Sequence, residues 1–298
     1  MTRKTVSVDA DGHHIGGIAT ELRGQGGPLL VALHGGSYTS AYFDVPGHSL
    51  LDVAAANGFD VVALDRPCYG SSAPLPDDQI TFSRNAEILD TAIARLWDAH
   101  GAEHSGVVLI GHSMGAAIAM YIASRRPAWP LLGVSLSGIH DTAPPHVRGV
   151  WDSMPPGQPV VFTPEQRRMF FYGPDWTIEP GIVDRAEVSA APVPLAELLE
   201  VVGSWPDVAA GVAAWINVPV QYVAFEFEQV WTIDPQTVKK FGSYFEIAPF
   251  VSAEIMTGTG HDVDHHRLGQ AFHLRQLAFA LECAERTARP VETDAVLA

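Results

Sequence analysis

The chain has 298 residues, of which 47% are hydrophobic and 17% charged, so it has enough apolar material for a large buried core. Its formal net charge of −16 disfavours nucleic acid and acidic membrane surfaces as partners. The two cysteines, Cys68 and Cys283, match no metal-ligand spacing and cannot define a disulfide framework, which favours a reduced setting.

The predicted elements begin with an antiparallel hairpin at a sheet edge, formed by residues 5–8 and 14–22. Four apolar runs typical of buried parallel strands follow, at residues 28–33, 60–64, 106–110 and 131–137. Helical periodicity at 49–57, 83–100 and 113–126 lies between them. This alternation predicts an α/β fold with a mostly parallel central sheet flanked by helices.

The composition changes between residues 139 and 216, where prolines and large aromatic residues are concentrated. Strands at 218–225 and 252–256 and helices near 236–244 and 268–286 then restore the earlier rhythm. We therefore expect an α/β core made of residues 1–138 and 217–298, with 139–216 as an inserted lid (cap) subdomain. Residues 291–298 are expected to form a frayed tail.

The segment Gly-His-Ser-Met-Gly at 111–115 joins a predicted strand directly to a helix of small residues. Such an abrupt turn places its central residue in a strained conformation, and glycines two positions away on either side avoid steric clashes. This G-x-S-x-G context predicts that Ser113 is an exposed nucleophile at the carboxyl edge of the sheet. The helix that follows offers free N–H groups and a positive dipole end nearby.

This nucleophile segment resembles the nucleophile elbow of the α/β-hydrolase superfamily, and the resemblance extends from about residue 28 to residue 281. His-Gly-Gly-Ser at 34–37 is similar to the family's glycine loop after the third strand. The resemblance implies an α/β-hydrolase fold and an oxyanion hole made by the backbone N–H groups of Gly36 and Met114, with Ser37 as an alternative to Gly36. The segment 65–72 resembles a further family loop, in which Cys68 replaces a glycine, and we interpret it as structural.

His261 follows the predicted strand 252–256 in Thr-Gly-Thr-Gly-His-Asp, which is similar to the family's last Gly-His element. An imidazole is needed to accept the proton of a serine hydroxyl, so His261 is the predicted base. The competing interpretation is a metal site at 262–266, built from Asp262, Asp264, His265 and His266. Neighbouring side chains of one segment rarely converge on an ion, and we expect no metal.

The residue that orients His261 is predicted from the strand 218–225, after which the family usually carries an aspartate. Glu228 takes that place, although Glu226 would share its side if the strand continued. A glutamate can hold the imidazole tautomer and stabilise its cation. Asp141, just beyond the strand 131–137, is the alternative acid.

The aromatic residues of the insertion have two interpretations. They can form the core of a small helical lid, and they can also line an apolar pocket beneath it. The predicted lining residues are Trp151, Met154, Phe170, Trp176 and Trp231. An apolar acyl or ring-bearing substrate would suit such a pocket.

The function predicted first is hydrolysis of a carboxylic ester, thioester or lactone through an acyl-enzyme on Ser113, with no cofactor. The alternatives are a non-hydrolytic lyase or transferase that uses the same triad, and a catalytically silent binding protein. The expected partner is a small-molecule substrate, and self-association as a homo-oligomer stays open. Because residues 1–17 lack the apolar stretch of a secretory signal, and no run reaches the roughly 20 apolar residues of a membrane span, we expect a cytoplasmic protein without a membrane partner.

Overall fold

The structure is a computed structural model that describes residues 2–155 and 157–288. The predicted tail at 291–298 lies outside the described residues. Ten α-helices and eight strands are found in this part of the chain. None of these helices combines the length and the apolar character needed to span a membrane.

The eight strands form one sheet in the order β1-β2-β4-β3-β5-β6-β7-β8. Their bounds are β1 Lys4–Ala10, β2 His13–Ala19, β3 Leu29–Leu33, β4 Asp60–Leu64, β5 Val107–His112, β6 Leu131–Ser137, β7 Val220–Phe227 and β8 Val251–Gly260. β1 and β2 pair as an antiparallel hairpin, and β2 pairs antiparallel with β4. The other neighbours are all parallel. The predicted fold class is therefore confirmed.

Helices cover both faces of this sheet because the central strands are apolar on both sides. The helices are α1 Leu50–Ala56, α2 Phe82–His100, α3 Met114–Ser124, α4 Pro145–Asp152, α5 Pro164–Phe171, α6 Ile182–Ala186, α7 Leu195–Val202, α8 Trp205–Ala213, α9 Pro235–Gly242 and α10 Gly269–Ala288. Leu29, Val31 and Leu33 of β3 belong to the core beneath α2 and α3. Leu30 and Ala32 belong to the opposite core, beneath α1 and α10.

Helices α4 to α8 all lie between β6 and β7, in what we call the insertion. Trp205 at the start of α8 is fully buried, and its indole Nε1 donates to the carbonyl of His140 at 2.9 Å. Residues 189–191 of the insertion also pair with the loop after β3. There Thr39 N–H donates to the carbonyl of Ser189 and Ala191 N–H donates to that of Ser37, both at 2.8 Å. The insertion is thus attached to the core at several separate points.

The last two strands extend beyond their predicted ends. β7 continues to Phe227 and β8 to Gly260, because Phe227 still pairs with Gly260 after an irregularity in the register. Glu228 and His261 are consequently the first residues after neighbouring strands. Parallel strands end at the same edge of the sheet, so this pairing brings the two side chains together.

Candidate active site

Ser113 lies in the sharp turn between β5 and α3, with φ 53° and ψ −123°. A non-glycine residue rarely has positive φ, and such strain is concentrated at functional sites. The flanking glycines are required by close packing. A Cβ on Gly111 would lie 2.5 Å from the Cα of Ala116, and one on Gly115 would lie 2.1 Å from the carbonyl oxygen of Leu33.

A chain of hydrogen bonds joins three side chains that are far apart in the sequence. His261 Nε2 lies 3.0 Å from Ser113 Oγ, and His261 Nδ1 lies 2.8 Å from Glu228 Oε2. The Glu228 carboxylate is almost fully buried, and its other oxygen accepts the N–H of Val230 at 2.8 Å. In the neutral tautomer that fits these contacts, His261 donates from Nδ1 to Glu228 and accepts the Ser113 hydroxyl at Nε2.

The protonation of His261 is governed by opposing effects. Burial alone would lower the pKa of this imidazole, because the cation is poorly solvated there. The adjacent Glu228 carboxylate, assisted by Asp262, outweighs burial and raises the pKa above its usual range. The environment therefore favours the imidazolium that forms whenever His261 accepts a proton.

The other two carboxylates considered at the sequence level point elsewhere. Asp141 interacts with Nδ1 of His140 at 2.7 Å and accepts the hydroxyl of Tyr244 at 2.6 Å. Although burial opposes its charge, these contacts lower the pKa of Asp141 below its usual range. Glu226 accepts the N–H of Gly258 at 2.7 Å. The alternative expectation, that Asp141 orients His261, is therefore wrong in this structure. The loop that carries Asp141 holds it beside α9, whereas Glu228 contacts the imidazole.

The glycine loop after β3 lies directly against Ser113. A Cβ on Gly35 would come within 2.8 Å of the Cβ of Ser113, so only glycine fits without displacement. Gly36 and Met114 both line the cavity in front of Ser113. Ser37, the alternative donor, is fully buried, has φ 64° and is not part of the cavity wall in the described part of the chain.

A cavity of about 280 Å³ opens in front of Ser113. Its wall is mainly apolar, and most of it comes from the insertion. Trp151, Met154 and Phe170 line this wall, in the position predicted from the sequence. Its other members from α4, α5, α7 and the segments between them are Val147, Val150, Val160, Val161, Phe162, Gln166, Met169, Phe171, Val193, Leu198, Val201 and Val202.

Trp176 and Trp231 are not among the residues that line the cavity, which corrects that part of the expectation. Trp176 is 65% exposed and packs edge-on against Phe227 on the outer surface. Trp231 is buried, and its indole N–H donates to the carbonyl of Gly138 at 2.9 Å. Each indole therefore lies in a different environment from the cavity, and the composition of the insertion could not predict which aromatic residues line the cavity.

The residues considered as a metal site are dispersed over separate hydrogen bonds. Asp262 accepts a hydrogen bond from the hydroxyl of Tyr38. Asp264 forms a separate hydrogen bond with Nε2 of His273, at 2.8 Å. His266 accepts two backbone N–H groups at Nε2, and burial lowers its pKa to about 4. Within residues 2–155 and 157–288, no group of three or more His, Cys, Asp or Glu side chains is arranged to hold a metal ion.

The sequence analysis did not identify Arg66 as a residue that contacts both the glycine loop and the insertion. Its guanidinium is fully buried and pairs with Glu197 of α7 at 2.6 Å. It also donates to the carbonyl oxygens of His34 and Gly35, at 2.9 and 3.2 Å. A cation directly after the buried strand β4 was the available signal, because a buried arginine must find acceptors.

Comparison with known proteins assigns the class. The sequence model of the alpha/beta hydrolase family matches residues 30–272, and the chain therefore belongs to this family. The E-2-(acetamidomethylene)succinate hydrolase structure superposes with a TM-score of 0.69 and 16% identity, covering 94% of this chain and 100% of that one.

Curated relatives match this chain over only part of their length. Protein phosphatase methylesterase 1 of Pongo abelii is 23% identical over 164 residues, which are 55% of this chain and 40% of that protein. A putative non-heme haloperoxidase of Mycobacterium phage D29 is 35% identical over 127 residues, 43% of this chain and 40% of that protein. The chain thus matches about two fifths of the length of these relatives.

Proposed function

We propose that this protein is a serine hydrolase that cleaves a carboxylic ester, thioester or lactone of a mainly apolar small molecule. Membership of the alpha/beta hydrolase family supports hydrolase chemistry in general. The observation that carries the narrower proposal is the hydrogen-bonded series Ser113, His261 and Glu228 at the wall of an apolar cavity. One of the partial relatives is a methylesterase by name, which agrees with an ester substrate.

In the proposed mechanism, Ser113 Oγ attacks the substrate carbonyl carbon while His261 Nε2 accepts the hydroxyl proton. The carbonyl oxygen becomes an oxyanion, and the N–H groups of Gly36 and Met114 donate to it. Each such donor contributes about 2.7–4 kcal/mol to the transition state. Collapse of the intermediate breaks the bond to the alcohol or thiol, which takes the proton from His261. Water then hydrolyses the acyl-Ser113 by the same steps, with His261 again as the base.

The insertion acts in this proposal as a lid that excludes water and selects the acyl group. Its residues supply most of the cavity wall, and Val161 and Met169 at the rim remain 65% and 60% exposed. An apolar acyl chain would bury these side chains, at about 25 cal/mol per Å² of apolar surface removed from water. Among the lining residues whose side chains the structure describes, none is Lys or Arg, so these residues offer a carboxylate-bearing acyl group no ion-pair partner.

Fluorophosphonate labelling tests the nucleophile directly. The proposal expects stoichiometric modification of the wild type, located at Ser113 by peptide mass spectrometry, and none of Ser113→Ala. Ser135 is a useful control position, because it is a buried serine whose hydroxyl already donates to Gln221. A wild type that stays unmodified at millimolar reagent would contradict a reactive Ser113 and favour a silent binding protein.

Turnover of p-nitrophenyl esters tests the reaction and its specificity. We expect kcat/KM to rise with acyl length from acetate and to exceed that of a matched ester with a terminal carboxylate by at least about tenfold, because a buried carboxylate without a cation is unfavourable. A thioester series and a lactone series, measured under the same conditions, rank the leaving groups. Labelling of Ser113 without release of any acid product would indicate the lyase or transferase alternative.

A further inference from the structure

The buried pair Arg66–Glu197 connects the glycine loop to the insertion. Both side chains are fully buried, and the two hydrogen bonds between them are 2.6 and 3.0 Å long. Arg66 belongs to the core, where it follows β4 and Asp65 in the chain. Glu197 belongs to α7 of the insertion. The hydroxyl of Tyr69 donates to the same carboxylate at 2.6 Å.

Arg66 also fixes the orientation of a single peptide plane. Its guanidinium donates to the carbonyl oxygen of Gly35 at 3.2 Å, and the Nδ1 of His34 lies 2.7 Å from that oxygen. The chain has no cis peptide bonds among the described residues, and a trans peptide directs its C=O and its N–H to opposite sides. With the Gly35 carbonyl held toward Arg66, the N–H of Gly36 points away from it, and Gly36 lines the cavity.

The neighbouring His34 is held in the form that this arrangement requires. Its Nε2 accepts the backbone N–H of Arg66 at 3.1 Å, so Nδ1 carries the proton donated to Gly35. Burial and the adjacent Arg66 charge lower the pKa of His34 to about 3, which keeps the ring neutral. The Gly35 carbonyl thus accepts from the Arg66 guanidinium and from His34, whose tautomer is set by the backbone N–H of Arg66.

The helix that provides the counterion also forms part of the substrate cavity. Leu198, Val201 and Val202 of α7 line the cavity, and Glu197 precedes them on the same helix. Movement of α7 would withdraw the carboxylate from Arg66 and leave a buried cation without its partner, which is strongly unfavourable. The position of α7 and the orientation of the Gly35–Gly36 peptide are thus linked through one ion pair.

We propose that Arg66 is a positioning residue, which orients the Gly36 N–H toward the substrate oxyanion when it is paired with Glu197. This pairing, and with it the orientation of the Gly36 N–H, requires α7 to pack against the core. This inference rests on the proposed function. It adds a condition to that function: the oxyanion site is complete only when the insertion is closed over the cavity.

The first test compares Arg66→Lys with the wild type. Lysine keeps the charge but cannot donate simultaneously to Glu197, His34 and Gly35 from a planar fork. We expect kcat for p-nitrophenyl butyrate to fall about 10²-fold, as for the loss of one oxyanion donor, with KM changed less than about threefold. Arg3→Lys is the matched control, because Arg3 pairs with Asp44 through a similar fork in a region outside the cavity wall.

A pair of ligands separates positioning from general destabilisation. The boron of 2-phenylethylboronic acid binds Ser113 Oγ while the hydroxyl proton passes to His261, which gives a tetrahedral anion, whereas n-butylbenzene fills the cavity without forming an oxyanion. We expect Arg66→Lys to weaken boronate binding about 10²-fold and to leave butylbenzene binding within about twofold. Equal weakening of both ligands, or of neither, would overturn the inference. A wild type that binds butylbenzene but neither boronate nor fluorophosphonate would instead contradict the proposed function.

Hydrogen exchange gives a readout that needs no activity. In Arg66→Lys and in Glu197→Gln, amides of residues 34–36 and 195–202 should exchange faster together, while Arg3→Lys leaves both segments as in the wild type. Tyr69→Phe is the mild variant, since it removes one donor to Glu197 and no contact to the glycine loop. If the stronger variants fail to fold, Tyr69→Phe decides. Faster exchange in both segments supports the link, and faster exchange in α7 alone, or in neither, refutes it.

Discussion

Glu228 reaches the imidazole because β7 and β8 end side by side, and its longer side chain spans the remaining distance to Nδ1. Both of its oxygens are within 3.1 Å of that nitrogen. An aspartate at this position would fall short by one methylene group, roughly 1.5 Å. The choice of glutamate is therefore matched to where this backbone ends, and its carboxylate raises the pKa of His261.

The raised pKa of His261 predicts a specific pH profile. Only the neutral imidazole can accept the Ser113 proton, so kcat/KM should be lost as the pH falls through the pKa of His261. Because Glu228 raises that pKa above the usual 6.5, the midpoint of the acid limb should lie above 6.5. Glu228→Gln should move the midpoint down and lower kcat by up to about 10⁴-fold. The measurement is kcat/KM for a p-nitrophenyl ester between pH 4.5 and 9.

Asp141→Asn is the control for this profile, because Asp141 is engaged by His140 and Tyr244. Its midpoint should equal that of the wild type even if the variant unfolds at lower temperature. An acid midpoint that moves in Asp141→Asn but stays in Glu228→Gln would reverse the assignment of the acid.

Two adjacent glycines in the glycine loop should respond differently to an added methyl group. The Cβ of Gly35→Ala would lie 2.8 Å from the Cβ of Ser113, so Ser113 or the loop must shift. Displacements of this order cost about 10²-fold in rate. In Gly36→Ala the nearest atom is the Met114 sulfur at 3.0 Å, at the flexible end of its side chain, and the loss should stay below about tenfold. Steady-state kcat distinguishes the two, and equal losses would contradict the steric explanation.

At the scale of elements, α4, α5 and α7 form a wall of short helices around the cavity. Aromatic contacts connect α4 and α5: Phe162, which lies between these helices in the chain, has its ring centroid 5.3 Å from that of Phe171 and 5.8 Å from that of Trp151. Short helices have little stability of their own. The shape of the cavity therefore depends on these side-chain contacts.

Phe162→Ala should enlarge the cavity and change the acyl preference. The truncation removes a large apolar side chain that is 6% exposed, and such changes cost about 3–5 kcal/mol, with the low end expected where one side already faces a cavity. The ratio of kcat/KM for decanoate over butyrate esters should rise several-fold. Val188→Ala, at a site that is 68% exposed, should change stability by less than about 0.5 kcal/mol and leave the ratio unchanged. An unchanged ratio in Phe162→Ala would place the acyl group elsewhere.

At the scale of the whole molecule, stability depends on how closely the helices approach the sheet. α10 lies against β6 at Gly133, where a Cβ would come within 2.5 Å of the Cys283 sulfur. Burial raises the pKa of the Cys283 thiol to about 12, which makes it an unreactive packing group. The small residue on the strand permits the close contact.

Gly133→Ala and Gly211→Ala should shift stability in opposite directions. Overpacking at Gly133 should destabilise by about 1–3 kcal/mol. Gly211 lies inside α8 with no heavy atom within 4 Å of its added Cβ, so alanine there should stabilise by about 0.5–1 kcal/mol through better helix propensity. Urea unfolding should show the two midpoints moving apart at an unchanged m value. A lower midpoint in Gly211→Ala would contradict the helix assignment at that site.

Local patterns in the sequence were sufficient for the α/β class, the hairpin at the edge and the order of strands and helices in the core. The G-x-S-x-G turn at Ser113 and the Gly-His element at His261 could also be recognised, because each motif is defined by residues within a few positions of one another. The insertion was recognisable by its prolines and aromatics, yet its five short helices were not, since no long period marks them.

Contacts between distant segments could not be read from the chain in this way. The pairing of β7 with β8 set Glu228 against His261, whereas His140 and Tyr244 engage Asp141 elsewhere. Trp231 is buried and Trp176 is exposed, and neither indole lines the cavity. The partner of Arg66 lies 131 residues further on. The amino-acid sequence by itself determined the elements and the candidate reactive groups, because these depend on local periodicity and on chemistry within a single turn. Only the tertiary structure decided which groups meet, because packing and strand register act between residues whose separation along the chain carries no signal.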